Sequence, residues 1–194
     1  FKPQKYAIIM VLKNRIFASI EADFSPFIKL RISLGFSQNI IMNNKKKITI
    51  IGGGAAGFFC AANLDENKFN VTILEQNQDV LQKVKISGGG RCNVTHACFD
   101  PRELVKFYPR GNKELLSVFH KFQPGDTMDW FDQRNVSLKI ENDNRIFPES
   151  NSSQTIIDCF LKEVQNKNFE IKTQSVVLEI QKLEKGYKII TKEG

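Results

Sequence analysis

Two glycine-rich elements and one carboxylate carry most of the chemistry that this sequence could perform. The first element, Gly52-Gly53-Gly54-Ala55-Ala56-Gly57, contains Gly-x-Gly-x-x-Gly directly after the apolar run 48–51. Between a strand and a helix, this spacing gives Gly52 the tight turn, Gly54 the close backbone approach to a pyrophosphate, and Gly57 the helix packing. The helix N-terminus, beginning with Ala55 and Ala56, adds amides and favourable polarity for an anion. Glu75 lies 23 positions after Gly52, close to the spacing of about 20 at which a carboxylate accepts hydrogen bonds from an adenosine ribose. An acid there disfavours a 2′-phosphate, because two like charges would face each other. These residues fit FAD and NAD equally well, and a purely structural tight turn is the non-binding alternative.

The second element is Ile86-Ser87-Gly88-Gly89-Gly90-Arg91-Cys92-Asn93-Val94-Thr95. Its glycines expose backbone to a planar or phosphorylated ligand, and Ser87, Arg91, Asn93 and Thr95 add polar directionality. Cys92 has no Cys-x-x-Cys partner and Cys98 is too ill-placed to resolve it, so its expected role is packing within the loop. Cys92, His96 and Cys98 lack the paired spacings and the fourth ligand of a zinc site, so no metal is expected. His120 reads as a surface or packing residue. No Ser-His-Asp triad or carboxylate pair is discernible, and no residue is assigned a catalytic role.

On these residues the sequence resembles the FAD-dependent flavoproteins described as aminoacetone-oxidase-like or NAD(P)/FAD-dependent oxidoreductases. The glycine cradle, Glu75, the 86–95 element, Tyr108-Pro109-Arg110 and Arg145-Ile146-Phe147-Pro148 occur in that family's order. The resemblance covers residues 47–194 and implies FAD, with Gly52, Gly54, Ala55, Ala56 and Gly57 beside the pyrophosphate and Glu75 and Gln76 at the adenosine ribose. It further implies that Lys83, Ser87, Gly88, Gly89, Gly90, Arg91, Cys92 and Asn93 approach the flavin, and that the Val177 backbone lies near adenine. Leu81-Gln82 depart from relatives, which commonly carry a Gly and a basic residue there. The implied activity is reduction of FAD by NAD(P)H and of a small-molecule acceptor by the flavin; the alternative is a non-catalytic dinucleotide-binding or interaction module. The family's chains extend further, so residues 42–194 are expected to be the N-terminal portion of an FAD-binding domain that needs its C-terminal remainder.

The elements that must position these residues are legible as an α/β, Rossmann-like βαβ unit: a strand at 48–51, a helix at 55–67 and a strand at 69–74. Further on, the pattern predicts a short helix near Pro101 and a helix at 113–122 with Leu115, Leu116, Phe119 and Phe122 on one face. A helix at 126–134 follows, whose Met128, Trp130 and Phe131 suit core packing. Strands are expected at 136–140 and 145–147, a helix at 154–164 with Ile156, Ile157, Phe160, Leu161 and Val164 inward, and strands at 169–171, 175–180 and 187–191.

The chain has 194 residues with 41% hydrophobic and 10% aromatic content, enough for a real core and unlike a disordered chain. Its net charge of +7 resides in residues 1–47, which hold nine Lys or Arg against two acids; the rest holds 19 of each. That balance leaves no basic stripe for nucleic acid. The apolar run 6–12 is far below the roughly 20 residues of a membrane span. With four cysteines in no disulfide framework, a cytoplasmic protein is expected. Residues 1–41 lack a sustained period and precede Met42, and they read as an atypical leader, non-native upstream sequence with a real N-terminal arm as the alternative. Mass spectrometry of the native protein's N-terminal peptide is expected to give a start at Met42; a peptide beginning upstream would overturn that reading.

Overall fold

The computed structural model describes residues 7–12, 15–18 and 45–192. Along the chain run β1 (Ala7–Leu12), β2 (Arg15–Ala18), β3 (Lys46–Ile51), α1 (Ala55–Ala62) and β4 (Phe69–Leu74). Then come α2 (Gln82–Ile86), a 3-10 turn (Ser87–Gly90), β5 (Thr95–His96), α3 (Pro101–Leu104), a second 3-10 turn (Val105–Phe107), α4 (Asn112–Phe119) and α5 (Pro124–Asp132). The chain closes with β6 (Leu138–Ile140), β7 (Arg145–Pro148), α6 (Ser153–Asn166), β8 (Glu170–Lys172), β9 (Val177–Lys182) and β10 (Tyr187–Thr191). The described residues form two compact units, one of those up to 78 together with those from 168 on, the other of residues 79–167.

The first unit contains the expected α/β core. Its main sheet has the order β2-β1-β3-β4-β8, with β3, β4 and β8 parallel and β2 antiparallel to β1. Of the segment read as a leader, β1 and β2 are thus strands; its remaining residues and the Met42 boundary lie outside the described residues. Burial on β3 alternates, with Ile48 and Ile50 buried and Thr49 and Ile51 half-buried. Helix α1 packs on β3 and β4 through Phe58, Ala61 and Ala62. It stops at Ala62, earlier than its apolar pattern suggests, because Asp65 captures the following backbone. The Asp65 carboxylate accepts from Asn67 N–H at 2.9 Å, and the Asp65 carbonyl accepts from Lys68 and Phe69 N–H; such local bonds compete with helix propagation. The β9–β10 hairpin turns through Gly186 at φ 92°.

The second unit packs helices on the antiparallel sheet β5-β7-β6. Its aromatic core is Trp130, Phe131 and Phe160, with ring centroids 4.9 to 5.8 Å apart. Arg134 lies over the Trp130 ring at 3.7 Å and pairs with Glu163 at 3.0 Å, so the Trp130–Phe131 group is packing, as its spacing suggested. Helix α6 begins where Ser152 Oγ accepts from Gln154 N–H, and it buries Ile156, Ile157, Phe160 and Val164 while Leu161 stays half-buried. Helix α4 differs from expectation. None of its residues is buried: Leu115, Leu116 and Phe119 are half-buried, and Phe122 beyond its end is exposed. Its packing is light, with Phe119 resting on Tyr108 at 5.4 Å between ring centroids.

Leu81 stands in the left-handed region at φ 58°, ψ 20°, and is 1% exposed. The backbone there suits glycine, and left-handed geometry costs a side-chain-bearing residue about 1–2 kcal/mol. Burial of the leucine offsets that cost, since removing a buried leucine side chain costs about 3–5 kcal/mol. Leu81→Gly is therefore expected to lower stability by about 2 kcal/mol net, read as a lower midpoint in urea unfolding. A midpoint that rises would show that strain outweighs packing.

Candidate cofactor-binding site

The parallel register places Ile51 beside Leu74, so the ends of β3 and β4 deliver Gly52 and Glu75 to one edge of the sheet. Gly52, at φ 107°, turns the chain there, and its N–H donates to the Leu74 carbonyl at 2.7 Å. Gly53 N–H donates to Glu75 Oε2 at 2.7 Å across that edge. Asn77 holds the other oxygen: its backbone N–H and side-chain Nδ2 both donate to Glu75 Oε1, at 2.9 and 2.7 Å. The Glu75 main chain continues the tie, accepting from Ser175 N–H at 2.8 Å and donating to the Lys172 carbonyl at 2.8 Å. Val177 opens β9 two residues after Ser175. Gln76 is exposed beside Glu75.

The three cradle glycines divide their roles. A Cβ at Gly57 would stand 2.1 Å from the Gly52 carbonyl oxygen and 3.2 Å from Ile50 Cγ2, so only glycine lets α1 sit this close to the turn. At Gly54 a Cβ would meet nothing within 4 Å, and its φ of −92° is open to any residue. Neither packing nor dihedral requires glycine at 54, whereas a ligand approaching the backbone would. Gly54 caps α1 without a side-chain hydrogen bond, and the first turn, starting Ala55-Ala56, carries no acid. This arrangement fits a pyrophosphate group.

The remaining predicted residues lie in the second unit. Lys83 is exposed on α2. Ser87 Oγ donates to the Val84 carbonyl at 2.9 Å, and the Ser87 carbonyl accepts from Cys92 N–H at 3.0 Å. Between these anchors Gly88, Gly89 and Gly90 take φ of 55°, 66° and 86°. Gly88 is confined, since its Cβ would lie 2.7 Å from Asn93 N and 2.8 Å from Phe147 Cε1; Gly89 and Gly90 face open space. Asn93 sets its side-chain amide against the carbonyls of Thr95 and Ile146 at 2.9 and 3.3 Å, where only the nitrogen can donate. Arg91 pairs with Glu141. Cys92 is buried, and desolvation raises its thiol pKa against the lowering effect of a hydrogen bond with Ser87. A thiol so placed is a packing group. All four cysteines are free, and among the described residues no three His, Cys, Asp or Glu side chains gather as a metal site would require.

Asn77 and Glu141 were not anticipated as site components. Asn77 had a signal in its position two residues after Glu75, where an amide can reach back to a carboxylate. Glu141 had none, being 50 residues from Arg91.

A glycine turn between parallel strand and helix, with a carboxylate locked at the end of the next strand, defines a Rossmann dinucleotide-binding domain. Residues 46–194 match the HI0933-like protein Rossmann domain, and the chain belongs to this family. It is 29% identical over 133 residues to a ribosomal RNA dihydrouridine synthase of Escherichia coli, covering 69% of this chain and 32% of that protein. It is 28% identical over 146 residues to a 3-dehydro-bile acid delta(4,6)-reductase of Clostridium scindens, covering 74% and 34%. The chain thus spans about a third of the length of the curated relatives it matches. Among solved structures, THI4 of Thermovibrio ammonificans overlays with a TM-score of 0.46 at 10% identity, over 75% of this chain and 45% of that one. Among the described residues, no helix is long and apolar enough to cross a membrane.

The two helix-turn glycines separate binding from folding. Gly54→Ala is expected to leave unfolding unchanged within about 0.5 kcal/mol while weakening FAD binding about tenfold or more, ~1.4 kcal/mol, by fluorescence titration. Gly57→Ala is expected to lower stability by about 1–3 kcal/mol. Equal effects of the two substitutions on stability would contradict this division.

Proposed function

We propose that this chain is the nucleotide-binding part of an FAD-dependent reductase, whose acceptor is a carbon–carbon double bond conjugated to a carbonyl. The observation that carries the cofactor reading is Gly54, a glycine that the protein's own packing does not need, at the mouth of an uncapped helix beside the Glu75 lock. Gly54, Ala55, Ala56 and Gly57 would hold the pyrophosphate by backbone amides, and Glu75, with Gln76 alongside, would receive the adenosine ribose. Gly89 and Gly90 would present backbone to the flavin, and Val177 would lie near adenine. When bound, FAD would supply hydride transfer from a nicotinamide donor to the conjugated double bond, with a proton completing the reduction. The protein's part is to orient the ring system and limit competing acceptors.

The acceptor class draws on what the relatives' names share. A dihydrouridine synthase saturates the uracil double bond, which is conjugated to a carbonyl, and a delta(4,6)-reductase of a 3-dehydro-bile acid acts on a dienone. Uridine in RNA is the first acceptor to test, in place of the small molecule expected from the sequence. The equal numbers of acids and bases in residues 48–194 give this region no excess of positive charge toward RNA.

The test begins with the 194-residue chain purified with FAD and stripped of free cofactor. About one FAD released per chain on denaturation is expected from a single cradle, and a folded chain without flavin would overturn the cofactor reading. In a relative-length protein bearing this domain, NADH or NADPH is expected to bleach the flavin, and RNA to yield dihydrouridine. Bleaching reversed by a dienone and not by RNA would move the acceptor to small molecules.

A further inference from the structure

We propose that Arg91 is a positioning residue that clamps the second glycine loop, and that it does not itself contact the cofactor. Its guanidinium is already engaged within the protein. Nη1 donates to Glu141 Oε1 at 2.5 Å and Nη2 to Oε2 at 3.4 Å, while Cζ sits 4.0 Å from the centroid of the Phe147 ring. Exposed ion pairs contribute little, but a two-pronged Arg–carboxylate pair stacked on an aromatic face is the exception. Here the side chains are 33% and 27% exposed.

The Phe147 ring that carries Arg91 on its face is also the one whose edge lies 2.8 Å from the place a Gly88 Cβ would occupy. Phe147 is fully buried and belongs to β7, and Glu141 opens the turn between β6 and β7, where its N–H donates to the Arg145 carbonyl at 2.9 Å. One strand pair therefore grips the loop at two points, through the Gly88–Phe147 contact and through the Arg91–Glu141 pair. Val94 N–H, donating to the Ile146 carbonyl at 2.8 Å, fastens the loop's far end to the same strand. Of the loop's glycines, Gly89 and Gly90 face open space. The identity of the group they meet rests on the FAD reading above; the clamp does not.

Hydrogen exchange on the ligand-free chain tests the clamp by itself. In peptides covering residues 87–94, Arg91→Gln and Glu141→Gln are each expected to speed amide exchange roughly fivefold, with the double variant no faster than either single. Arg91→Lys is expected to behave as Arg91→Gln, because an ammonium cannot replace the fork and the stacked plane. The global unfolding midpoint serves as the control and is expected to stay near that of the native chain. FAD titration then separates positioning from contact: Glu141→Gln should weaken binding as much as Arg91→Gln. Additive effects on exchange, or a Glu141→Gln variant that exchanges and binds FAD as the native chain does while Arg91→Gln loses FAD, would overturn the proposal. Coupled exchange in a chain that binds no FAD would leave the clamp standing and remove the cofactor reading.

Discussion

A carboxylate at the end of a buried strand loses its water, and that loss is tolerable only where protein donors replace it. Glu75 is 9% exposed and receives three N–H groups, one from Gly53 and two from Asn77. The bond to Gly53 is the one on which the rest depends. It holds the glycine turn against the neighbouring strand end, which fixes where α1 starts and where its unspent amides point. A carboxylate offers about four acceptor positions, so these contacts leave it little spare capacity. Its role in the structure is to shape the cradle.

The glycine cradle was legible because its determinants are local: a strand, a turn and a helix start within ten residues. Glu75 was legible through the fixed length of a βαβ unit. What escaped is what depends on partners distant in sequence or on what covers a surface. The pattern of Leu115, Leu116 and Phe119 establishes that α4 is two-faced, yet whether anything lies over the apolar face is not a property of the helix. The family resemblance brings Arg91 toward the flavin, while its partner Glu141 comes 50 residues later and left no local signal. Leu81 hid its left-handed backbone because leucine ordinarily signals helix or core. The strands β1 and β2 were missed because the surrounding mixture of Ile, Phe, Lys and Asn shows no sustained alternation.

The two glycine elements solve the same problem in different ways. In the first, the backbone is set by a carboxylate and by a contact too close for any side chain. In the second, three successive positive φ angles are imposed by an aromatic ring, an ion pair and an amide side chain. Rigid surroundings for exposed glycines matter because such residues lose much conformational freedom on ordering. A loop already ordered before a ligand arrives retains more of the contact energy as affinity.

The division of the chain has a consequence for how the molecule is built. The first unit is discontinuous: β8 completes the sheet beside β4 only after the whole second unit has been traversed, and Thr72 and Glu170, 98 positions apart, join across that seam. Closing so long a loop is entropically slow, whereas residues 79–167 form a contiguous stretch. During synthesis the second unit can collapse while the nucleotide-binding sheet still lacks an edge. The glycine turn, synthesised before the second unit, gains the last strand of its sheet only after that unit has been made.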